Sequence, residues 1–239
     1  MPLALITGAS AGIGRSFAES LARRGYDLIL VARSTARIEE LGRDLAERHK
    51  VTCHVWTADI SMDAGREDVA RRIEALARLD LLVNNAGFAT TGKLARIALE
   101  PQMEMLLLRV LAPMRLCRAA LPRMIEHGAG GIINVSSIAG FVYGPGNVNY
   151  SATKAYLTSF TRGLDTELVG TGVRVQSLCP GFTHTEIHDD MLHVKKQIPS
   201  WLWMESRDVV EISLQQLEAA GNVVCIPGFR NKLMMCVLQ

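Results

Sequence analysis

The chain has 239 residues, of which 49% are hydrophobic and 21% are charged, and its formal net charge is +2. This length and composition are enough for one α/β domain with a substantial buried core. The small net charge gives no reason to expect nucleic acid or an anionic membrane as a partner. The apolar run that begins at Leu3 follows no basic leader, and no run approaches the ~20 residues of a membrane span. We therefore predict a cytoplasmic protein with no membrane span.

The cysteines and histidines form no disulfide or metal-binding pattern. The five cysteines have an odd count and no C-x-x-C pair, so we expect reduced, mostly buried thiols. His184 and His188 stand four residues apart, as two ligands on one helix face would, but no third ligand follows at a suitable spacing. The sequence therefore predicts no metal site.

A glycine-rich turn joins the first predicted strand to the first predicted helix. The apolar run Leu3–Ile6 is followed by TGASAGIG at residues 7–14 and then by apolar residues at helical spacing. In a dinucleotide site, Gly8 would permit the tight turn, Gly12 would let the backbone approach a pyrophosphate, and Gly14 would let the helix pack on the strand. The amino terminus of the helix attracts the phosphate charge. The spacing is wider at the front than the usual fingerprint, so an ordinary turn is the alternative.

The second predicted strand, Leu28–Ala32, ends in Arg33 and Ser34, about 20 residues past the glycines. A binder of NAD normally places Asp or Glu there to hold the ribose 2′-hydroxyl, whereas a 2′-phosphate needs a cation. Because the acid is absent, Arg33 favours NADP(H) over NAD(H), with Ser34, Arg37 and Arg15 as candidate helpers. The alternative is a basic edge that is only solvated.

The remaining elements alternate along the chain in the same way. Predicted helices lie at residues 35–49, 64–78, 100–126, 150–169 and 206–220, and Pro113 is predicted to interrupt the third of these. The other predicted strands lie at residues 51–55, 81–83, 132–135, 173–178 and 223–226. Seven strands that alternate with helices predict a doubly wound parallel α/β sheet of the Rossmann type, with helices on both faces, in a single domain.

Polar and turn-forming residues follow several of these strands, and open α/β sheets bind ligands at the carboxyl ends of their strands. Asp59 and Ile60 follow the third strand, the NNAG segment at 84–87 follows the fourth, and Cys179-Pro-Gly follows the sixth. Ser137 closes the fifth. The asparagine pair has an alternative interpretation, in which it only satisfies local backbone groups.

The stretch 182–203 has no clear periodicity and is rich in histidine and tryptophan. Long irregular segments in compact domains are usually lids or binding loops, so we predict a substrate lid here. The alternative is a solvent-facing insertion packed by Trp201 and Trp203.

Tyr150 and Lys154 stand four residues apart at the start of a predicted helix, so their side chains would share one face. A free tyrosine keeps its proton up to a pKa of about 10. A fixed positive charge nearby favours the phenolate and makes the phenol usable as an acid or base near neutral pH. Such a pair also occurs by chance in helices, so its interpretation depends on the other motifs.

Together these motifs resemble the short-chain dehydrogenase/reductase superfamily over essentially the whole chain. The matching pieces are TGASAGIG at 7–14, NNAG at 84–87, Ser137, YSATK at 150–154, which begins 13 residues after that serine, and Pro180-Gly181 with Thr185. The segment VARS at 31–34 resembles the NADP(H)-preferring branch, near microbial oxidoreductases and hydroxysteroid dehydrogenases of that superfamily.

The resemblance implies roles for the matching residues. Tyr150 would exchange a proton with the substrate oxygen, Ser137 would hydrogen-bond that oxygen, and Lys154 would hold the nicotinamide ribose while favouring ionisation of Tyr150. The implied cofactor-binding residues are Gly8, Ser10, Gly12, Ile13, Gly14, Arg33, Asp59, Ile60, Asn85, Ala86, Gly87, Tyr150, Lys154, Pro180, Gly181, Phe182 and Thr185. Among them, Asp59 and Ile60 would meet the adenine, Asn85 to Gly87 the adenine-side ribose, and Pro180 to Thr185 the nicotinamide amide.

One position departs from the family pattern. Many members carry a fourth catalytic residue, an asparagine in the long helix, and Arg109 stands in its place. In the family this asparagine acts largely through its backbone carbonyl, which holds a water that leads from the catalytic lysine to solvent. Pro113 has no N–H to donate to the Arg109 carbonyl, so we hypothesise that the relay survives through the backbone and that the Arg109 side chain points aside. The competing hypothesis is that its guanidinium repels Lys154 and weakens catalysis.

The leading functional prediction is an NADPH-dependent reductase of ketones or aldehydes, reversible as an alcohol dehydrogenase. A hydrophobic substrate such as a steroid, acyl chain or xenobiotic is expected from an apolar lining of Phe88, Phe141, Val142, Phe182, Trp201 and Trp203. The alternative is a redox sensor that binds NADP(H) and contacts another protein without turnover, although such a sensor has no need of Ser137, Tyr150 and Lys154 together. An epimerase or dehydratase of nucleotide sugars normally needs a longer carboxy-terminal region.

The resemblance also implies self-association. Members of the superfamily commonly pair their two long helices, here 100–126 and 150–169, with those of a partner, which predicts a homodimer or homotetramer. The apolar end, Leu233–Leu238, either joins such an interface, packs on its own sheet or is the end of a shortened chain.

Overall fold

The computed structural model describes residues 1–142, 144–185 and 199–238. The strands in this part of the chain are β1 (Leu3–Thr7), β2 (Asp27–Ala32), β3 (Cys53–Thr57), β4 (Leu81–Asn84), β5 (Gly130–Val135), β6 (Val173–Leu178), β7 (Thr183–His184), β8 (Met204–Glu205) and β9 (Val224–Cys225). The helices are α1 (Gly12–Arg23), α2 (Thr35–His49), α3 (Asp63–Glu74), α4 (Leu99–Leu106), α5 (Ala112–Glu126), α6 (Val148–Glu167), α7 (Ser206–Glu218) and α8 (Phe229–Leu238). A π-helical segment, Leu107–Leu111, joins α4 to α5.

Seven strands form one sheet in the order β3-β2-β1-β4-β5-β6-β9, and every pair of neighbours in it is parallel. The strand order reverses between β1 and β4, and open α/β sheets leave a ligand crevice at this point. The predicted doubly wound, seven-stranded sheet is therefore confirmed. The small parallel pair β7–β8 was not predicted.

Helices cover both faces of the sheet. On one face α1, α2 and α7 bury residues such as Phe17, Ile38 and Leu214, and on the other α3, α5 and α6 bury residues such as Ile73 and Leu116. Because the central strands lose both faces to these layers, their sequences are continuous apolar runs rather than alternating patterns.

The predicted helix 100–126 is present, with an irregularity close to the predicted position. The α4 helix, the π segment and α5 follow one another from Leu99 to Glu126, and Pro113 comes directly after the first residue of α5. Proline has no N–H to donate to the carbonyl four residues earlier, and a π segment is one way in which a helix accommodates such a gap. This segment carries Arg109 into the interior.

Some predicted boundaries were wrong by a few residues. The third strand begins at Cys53 rather than Val51, because Lys50 takes a left-handed conformation with φ 59° and the chain is still turning there. The helix predicted to reach residue 220 ends at Glu218, and Ala220 is also left-handed with φ 51°. The predicted helix 64–78 occupies Asp63–Glu74, and the last sheet strand is reduced to Val224–Cys225.

In the part of the chain that is described, no helix is both long enough and apolar enough to cross a membrane.

Candidate active site

A cavity of about 910 Å³ lies at the carboxyl ends of the strands, over the crevice between β1 and β4. The structure brings nearly all the predicted site residues to its wall: Gly8, Ser10, Gly12, Ile13, Arg33, Asp59, Ile60, Asn85, Ala86, Gly87, Ser137, Tyr150, Lys154, Pro180, Gly181, Phe182 and Thr185. Gly14 is the exception. It lies beneath the wall, where an added Cβ would come 2.2 Å from the Gly8 carbonyl oxygen, so its role is the close packing of α1 on β1.

The glycine turn has the conformation that the sequence predicts. Gly8 and Gly12 have φ angles of 67° and 53°, which favour glycine. An added Cβ at Gly8 would lie 2.8 Å from Ala86 Cα, and one at Gly12 would lie 3.1 Å from the Thr185 side chain. The two glycines therefore keep a narrow gap open between the first turn and the turns that follow β4 and β6.

Thr7 ties this turn to the NNAG segment, and the sequence analysis missed it. The backbone N–H groups of Asn85 and Ala86 donate to Thr7 Oγ1 at 2.9 and 3.1 Å. The Asn85 amide in turn donates to the Thr7 and Gly8 carbonyls at 3.0 and 3.2 Å. The alternative interpretation of the asparagine pair is therefore correct for the Asn85 side chain, which satisfies local backbone groups.

Arg33 lies at the mouth of the cavity, at the end of β2. Its side chain is 66% exposed, and Nη1 lies 3.5 Å from Glu104 Oε1 and 3.9 Å from Asp59 Oδ2. Of its candidate helpers, Ser34 and Arg37 also line the cavity. Arg15 does not line it, and its Nε donates to Glu19 on the same helix at 3.0 Å.

Ser137 is held at the end of β5 by the backbone around it. Its Oγ accepts a hydrogen bond from the Ala139 N–H at 3.1 Å and donates to the Pro180 carbonyl at 3.4 Å. A hydrogen bond of 3.4 Å is long, so the hydroxyl can exchange that partner for another oxygen at small cost.

Lys154 lies one helical turn after Tyr150 on α6, and both side chains line the cavity. The ammonium is buried, donates to the Val135 carbonyl at 2.6 Å and lies 5.7 Å from the centre of the Tyr150 ring. The helix can come close to the turn that follows β5 because Gly140 in that turn has no side chain: an added Cβ there would lie 2.8 Å from the Ala155 nitrogen. Burial lowers the pKa of Lys154 well below its ordinary value, and the charge of Arg109 lowers it further.

The Arg109 side chain does not point aside, so that part of the sequence-based hypothesis is wrong. Its Nε and Nη2 donate to the Phe88 carbonyl at 2.8 and 2.6 Å, and Cζ lies 5.0 Å from the centre of the Tyr150 ring. An added Cβ at Gly87 would lie 2.6 Å from Cζ, so the guanidinium fits only under a glycine. The π segment turns Arg109 toward the cavity, and sequence periodicity gave no signal for that orientation.

The apolar part of the wall agrees with the predicted lining only in part. Phe88, Val142 and Phe182 line the cavity, as predicted. Phe141 and the two tryptophans are not among the lining residues in the described part of the chain, and Trp203 instead packs beside Phe182 and His184. The structure adds apolar residues that the sequence analysis did not name, Leu108, Ile138 and Met235. Residues 186–198, which hold most of the predicted lid and include His188, lie outside the described residues.

The start of α6 is tied to α4 by an amide network that was also missed. Asn149 Nδ2 donates to the backbone carbonyl and to Oε1 of Gln102, at 3.0 and 3.2 Å. Gln102 Nε2 donates to Thr90 Oγ1 at 2.8 Å. This network fixes the first turn of α6, and therefore Tyr150, relative to the loop after β4.

Comparison with known proteins agrees with this geometry. A family model described as short chain dehydrogenase matches residues 2–195. Human 3-oxoacyl-[acyl-carrier-protein] reductase is 33% identical over 229 residues, which cover 93% of this chain and 95% of that protein. The structure of a short-chain dehydrogenase from Sphingobium yanoikuyae in complex with NADPH has a TM-score of 0.91 at 34% identity, and the match covers 100% of this chain and 92% of that one. The structure of a bulky-bulky ketone specific alcohol dehydrogenase from Comamonas testosteroni has a TM-score of 0.86 at 32% identity, and the match covers 99% of this chain and 92% of that one.

Proposed function

The chain belongs to the short chain dehydrogenase family, and from this membership we propose that it is an NADPH-dependent reductase of ketones or aldehydes, reversible as an alcohol dehydrogenase. The observation that carries the proposal is that Ser137, Tyr150 and Lys154 line one cavity together with the glycine turn of β1. A proton donor, a hydrogen-bond donor and a cation thus surround one space in which a carbonyl can lie.

The residues present fit a dinucleotide. The gap that Gly8 and Gly12 keep open lies at the amino terminus of α1, where backbone N–H groups favour a pyrophosphate. Asp59 and Ile60 would hold the adenine, the Asn85 to Gly87 backbone the adjoining ribose, and Pro180 to Thr185 the nicotinamide amide. Lys154 would hold the hydroxyls of the second ribose. When bound, the reduced nicotinamide supplies the hydride that reduces the carbonyl carbon.

The side chains of the chain itself handle the proton. As negative charge develops on the carbonyl oxygen, Tyr150 gives that oxygen its phenolic proton, so that an O–H bond forms on the product and a phenolate is left on the enzyme. Ser137 exchanges its long bond to the Pro180 carbonyl for a hydrogen bond to the same oxygen. Lys154, fixed by the Val135 carbonyl, holds its amine beside the phenol.

A preference for NADP(H) is supported by Arg33 at the end of β2, where no acid takes the position that holds a ribose 2′-hydroxyl. The related Sphingobium yanoikuyae structure contains NADPH.

We expect Arg33→Ala to raise the KM for NADPH at least about tenfold, since a hydrogen bond to a charged group contributes about 1.5–3 kcal/mol, and to leave the KM for NADH nearly unchanged. Arg15→Ala is the matched control, because Arg15 pairs with Glu19 away from the cavity. Equal effects on the two cofactors would contradict the preference.

The lining residues indicate a mainly hydrophobic carbonyl substrate. Phe88, Leu108, Val142, Phe182 and Met235 form much of the wall. The names of two relatives, a 3-oxoacyl reductase and a bulky-bulky ketone specific alcohol dehydrogenase, also describe carbonyl compounds. We propose bulky ketones and acyl-chain ketones as the first compounds to test, and residues 182–203 as the cover that closes over them.

The test is a panel of ketones and aldehydes mixed with the purified protein and NADPH, with nicotinamide absorbance as the readout. We expect turnover on bulky apolar ketones, and a loss of at least about a hundredfold in kcat for Tyr150→Phe, because general acid catalysis typically contributes this much. No turnover across the panel would contradict the proposal. Equal rates for wild type and Tyr150→Phe would also contradict it.

An NADP(H)-binding redox sensor is the second candidate, and the observation that favours it is the guanidinium of Arg109 beside Lys154. A sensor would bind NADPH tightly, turn over none of the panel, and keep its partner binding in the Tyr150→Phe variant. The same assay, together with NADPH titration followed by fluorescence, separates the two candidates.

Self-association through the long helices is a further part of the proposal. The α4–α5 unit exposes Leu99, Met103, Leu111 and Met114, and α6 exposes Val148. These large apolar side chains are suited to a homodimer or homotetramer interface.

We also propose the cytoplasm as the compartment, since the four described cysteines are unpaired although secreted chains usually oxidise theirs.

A further inference from the structure

Two cations flank Tyr150. The Cζ atom of Arg109 lies 5.0 Å from the centre of the phenol ring, and Nζ of Lys154 lies 5.7 Å from it. They reach it from different elements, Arg109 from the π segment and Lys154 from α6. Within the described part of the chain neither cation has a carboxylate partner; their hydrogen bonds go to the carbonyls of Phe88 and Val135.

Arg109 is buried, and the described part of the chain offers its guanidinium few hydrogen-bond partners. A guanidinium has five N–H donors, and among the described residues only the Phe88 carbonyl accepts from it, bound by Nε and Nη2. The side chain is 6% exposed. A buried charge without an acidic partner is costly to keep, which favours a functional reason for its presence at the wall of the cavity.

Of the two cations, Arg109 holds its charge more firmly. Burial lowers the pKa of Lys154 well below its ordinary value, and the positive charge of Arg109 adds to this effect. Burial also lowers the pKa of Arg109, with Tyr150 acting in the opposite direction, but a guanidinium begins from a much higher value and spreads its charge over three nitrogens. Burial also raises the pKa of the Cys179 thiol, whose charge acts on Lys154.

We propose that Arg109 is a positioning residue of the catalytic centre, whose permanent charge stabilises the phenolate of Tyr150. This inference rests on the proposed reductase function. Lys154 then serves mainly to hold the ribose, and the stabilisation of the phenolate by positive charge is shared between its ammonium and the guanidinium of Arg109. Arg109, at the position where many members of the family have asparagine, thus has a different function in this chain.

The charge of Arg109 acts most directly on alcohol oxidation. In that direction the phenolate of Tyr150 accepts the proton of the alcohol O–H, and the carbon loses its hydride, with both bonding electrons, to oxidised nicotinamide as the C=O bond forms. Only the phenolate form of the enzyme can begin this step. A cation that favours the phenolate therefore raises the rate at lower pH, and its removal moves the profile to higher pH.

The effect of Arg109→Met has two parts that oppose each other. The substitution removes a charge whose Cζ lies 5.0 Å from the centre of the phenol ring, and it also lets Lys154 regain some of its own charge. The expected result is a loss of about tenfold or more in kcat/KM for alcohol oxidation near pH 7, and little loss near pH 10.

The experiment is a pH profile of alcohol oxidation for wild type, Arg109→Met and Arg66→Met. Arg66 is the matched control, since it is also a buried arginine, lies on α3 away from the cavity and pairs with Asp63. Arg66→Met should lower stability without moving the profile. For Arg109→Ala, millimolar guanidinium chloride should restore the rate near pH 7, whereas neutral urea of nearly the same shape should not.

Three outcomes would overturn the inference: a pH profile of Arg109→Met that matches wild type, a rate gain of Arg109→Met near pH 7, or equal rescue of Arg109→Ala by urea and guanidinium.

Failure of the proposed function would give a different result, since wild type would then oxidise no alcohol at any pH. In that case the ultraviolet absorbance of phenolate in the nucleotide-free protein, measured against Tyr150→Phe, still tests the inference. Phenolate that forms at the same pH in wild type and Arg109→Met would overturn it.

Discussion

At the scale of single residues, the cavity depends on a few hydroxyl and glycine positions that carry no chemistry of their own. The Thr7 hydroxyl accepts hydrogen bonds from the Asn85 and Ala86 N–H groups, and it donates to the Val83 carbonyl at 3.3 Å. It is fully buried. One hydroxyl thus joins the end of β1 to the end of β4, on which the proposed ribose site depends.

We expect Thr7→Val to lower the free energy of unfolding by about 1–3 kcal/mol, because two partly buried N–H groups lose their acceptor while the side-chain shape is kept. Urea unfolding measures this loss. Thr7→Ser keeps the hydroxyl and is the control. If the valine and serine variants were equally stable, the hydrogen bonds would not have the importance assigned to them.

The buried thiols give a prediction about pH. Burial raises the pKa of Cys53 to about 11 and the pKa values of Cys117 and Cys225 to about 12. In the unfolded chain these thiols ionise near pH 8.5–9, so between about pH 9 and 12 the native state holds protons that the unfolded state has lost. The stability they contribute is complete below about pH 9 and decreases as the pH rises.

Alkylation with iodoacetamide near pH 8 checks the same point. We expect these three cysteines to be modified slowly in the native protein and rapidly in urea, since the thiolate is the reactive form. Mass spectrometry of the digested protein identifies the modified positions. Rapid native modification of Cys117 or Cys225 would show that these thiols are accessible and ionised.

The sequence predicted which residues line the cavity where a motif marks them. It did not do so where a side chain reaches the cavity from a distant segment. Gly8, Gly12, Ser137, Tyr150 and Lys154 were predicted to meet, and they line one cavity. Met235 also lines it but belongs to the last helix, for which no motif signals proximity. The orientation of Arg109 depends on a local widening of a helix, which periodicity does not record.

At the scale of elements, the α4–π–α5 unit departs from regular α-helix, and its π segment carries Arg109 beside Tyr150. The Ala112 N–H donates to the Leu107 carbonyl, five residues earlier, as π geometry requires. Pro113 follows and has no N–H to offer the Arg109 carbonyl. The sequence thus predicted an interruption at Pro113, although not the form that it takes.

Pro113→Ala tests whether this irregularity is functional. The new N–H at position 113 can donate to the Arg109 carbonyl, which would let the segment tighten toward regular α-helix and turn Arg109 away from Tyr150. We expect an unchanged or higher midpoint of thermal unfolding, because a hydrogen bond is gained, together with a kcat lower by about tenfold or more. An unchanged kcat would mean that catalysis does not need the π segment.

The strands were more predictable than the ends of the helices, and the reason is physical. The central strands β1, β2 and β4 are largely apolar runs, because helices cover them on both faces. Helix ends depend on single residues such as Lys50 and Ala220, whose left-handed conformations have no strong sequence signal outside glycine and asparagine. The β7–β8 pair has two residues in each strand, too few for a periodic pattern.

At the scale of the whole molecule, the arrangement is a rigid sheet with a reaction space at one edge. The strand order places the ends of β1, β4, β5 and β6 side by side, and each end contributes residues to the cavity. The sequence predicted this arrangement because each strand end carried its own motif. It could not predict which substrate the space accepts, since that depends on loops and on the last helix rather than on the sheet.

The account depends on the claim that Tyr150 and its two neighbouring cations support hydride transfer to a carbonyl carbon. The most direct measurement is a single turnover with NADPH that carries deuterium at the reactive nicotinamide carbon, and with a bulky apolar ketone. Mass spectrometry of the product should find the deuterium on the new alcohol carbon with wild type, and almost none in the same time with Tyr150→Phe. Unlabelled or absent alcohol with wild type, or equal labelling by the two proteins, would contradict the claim.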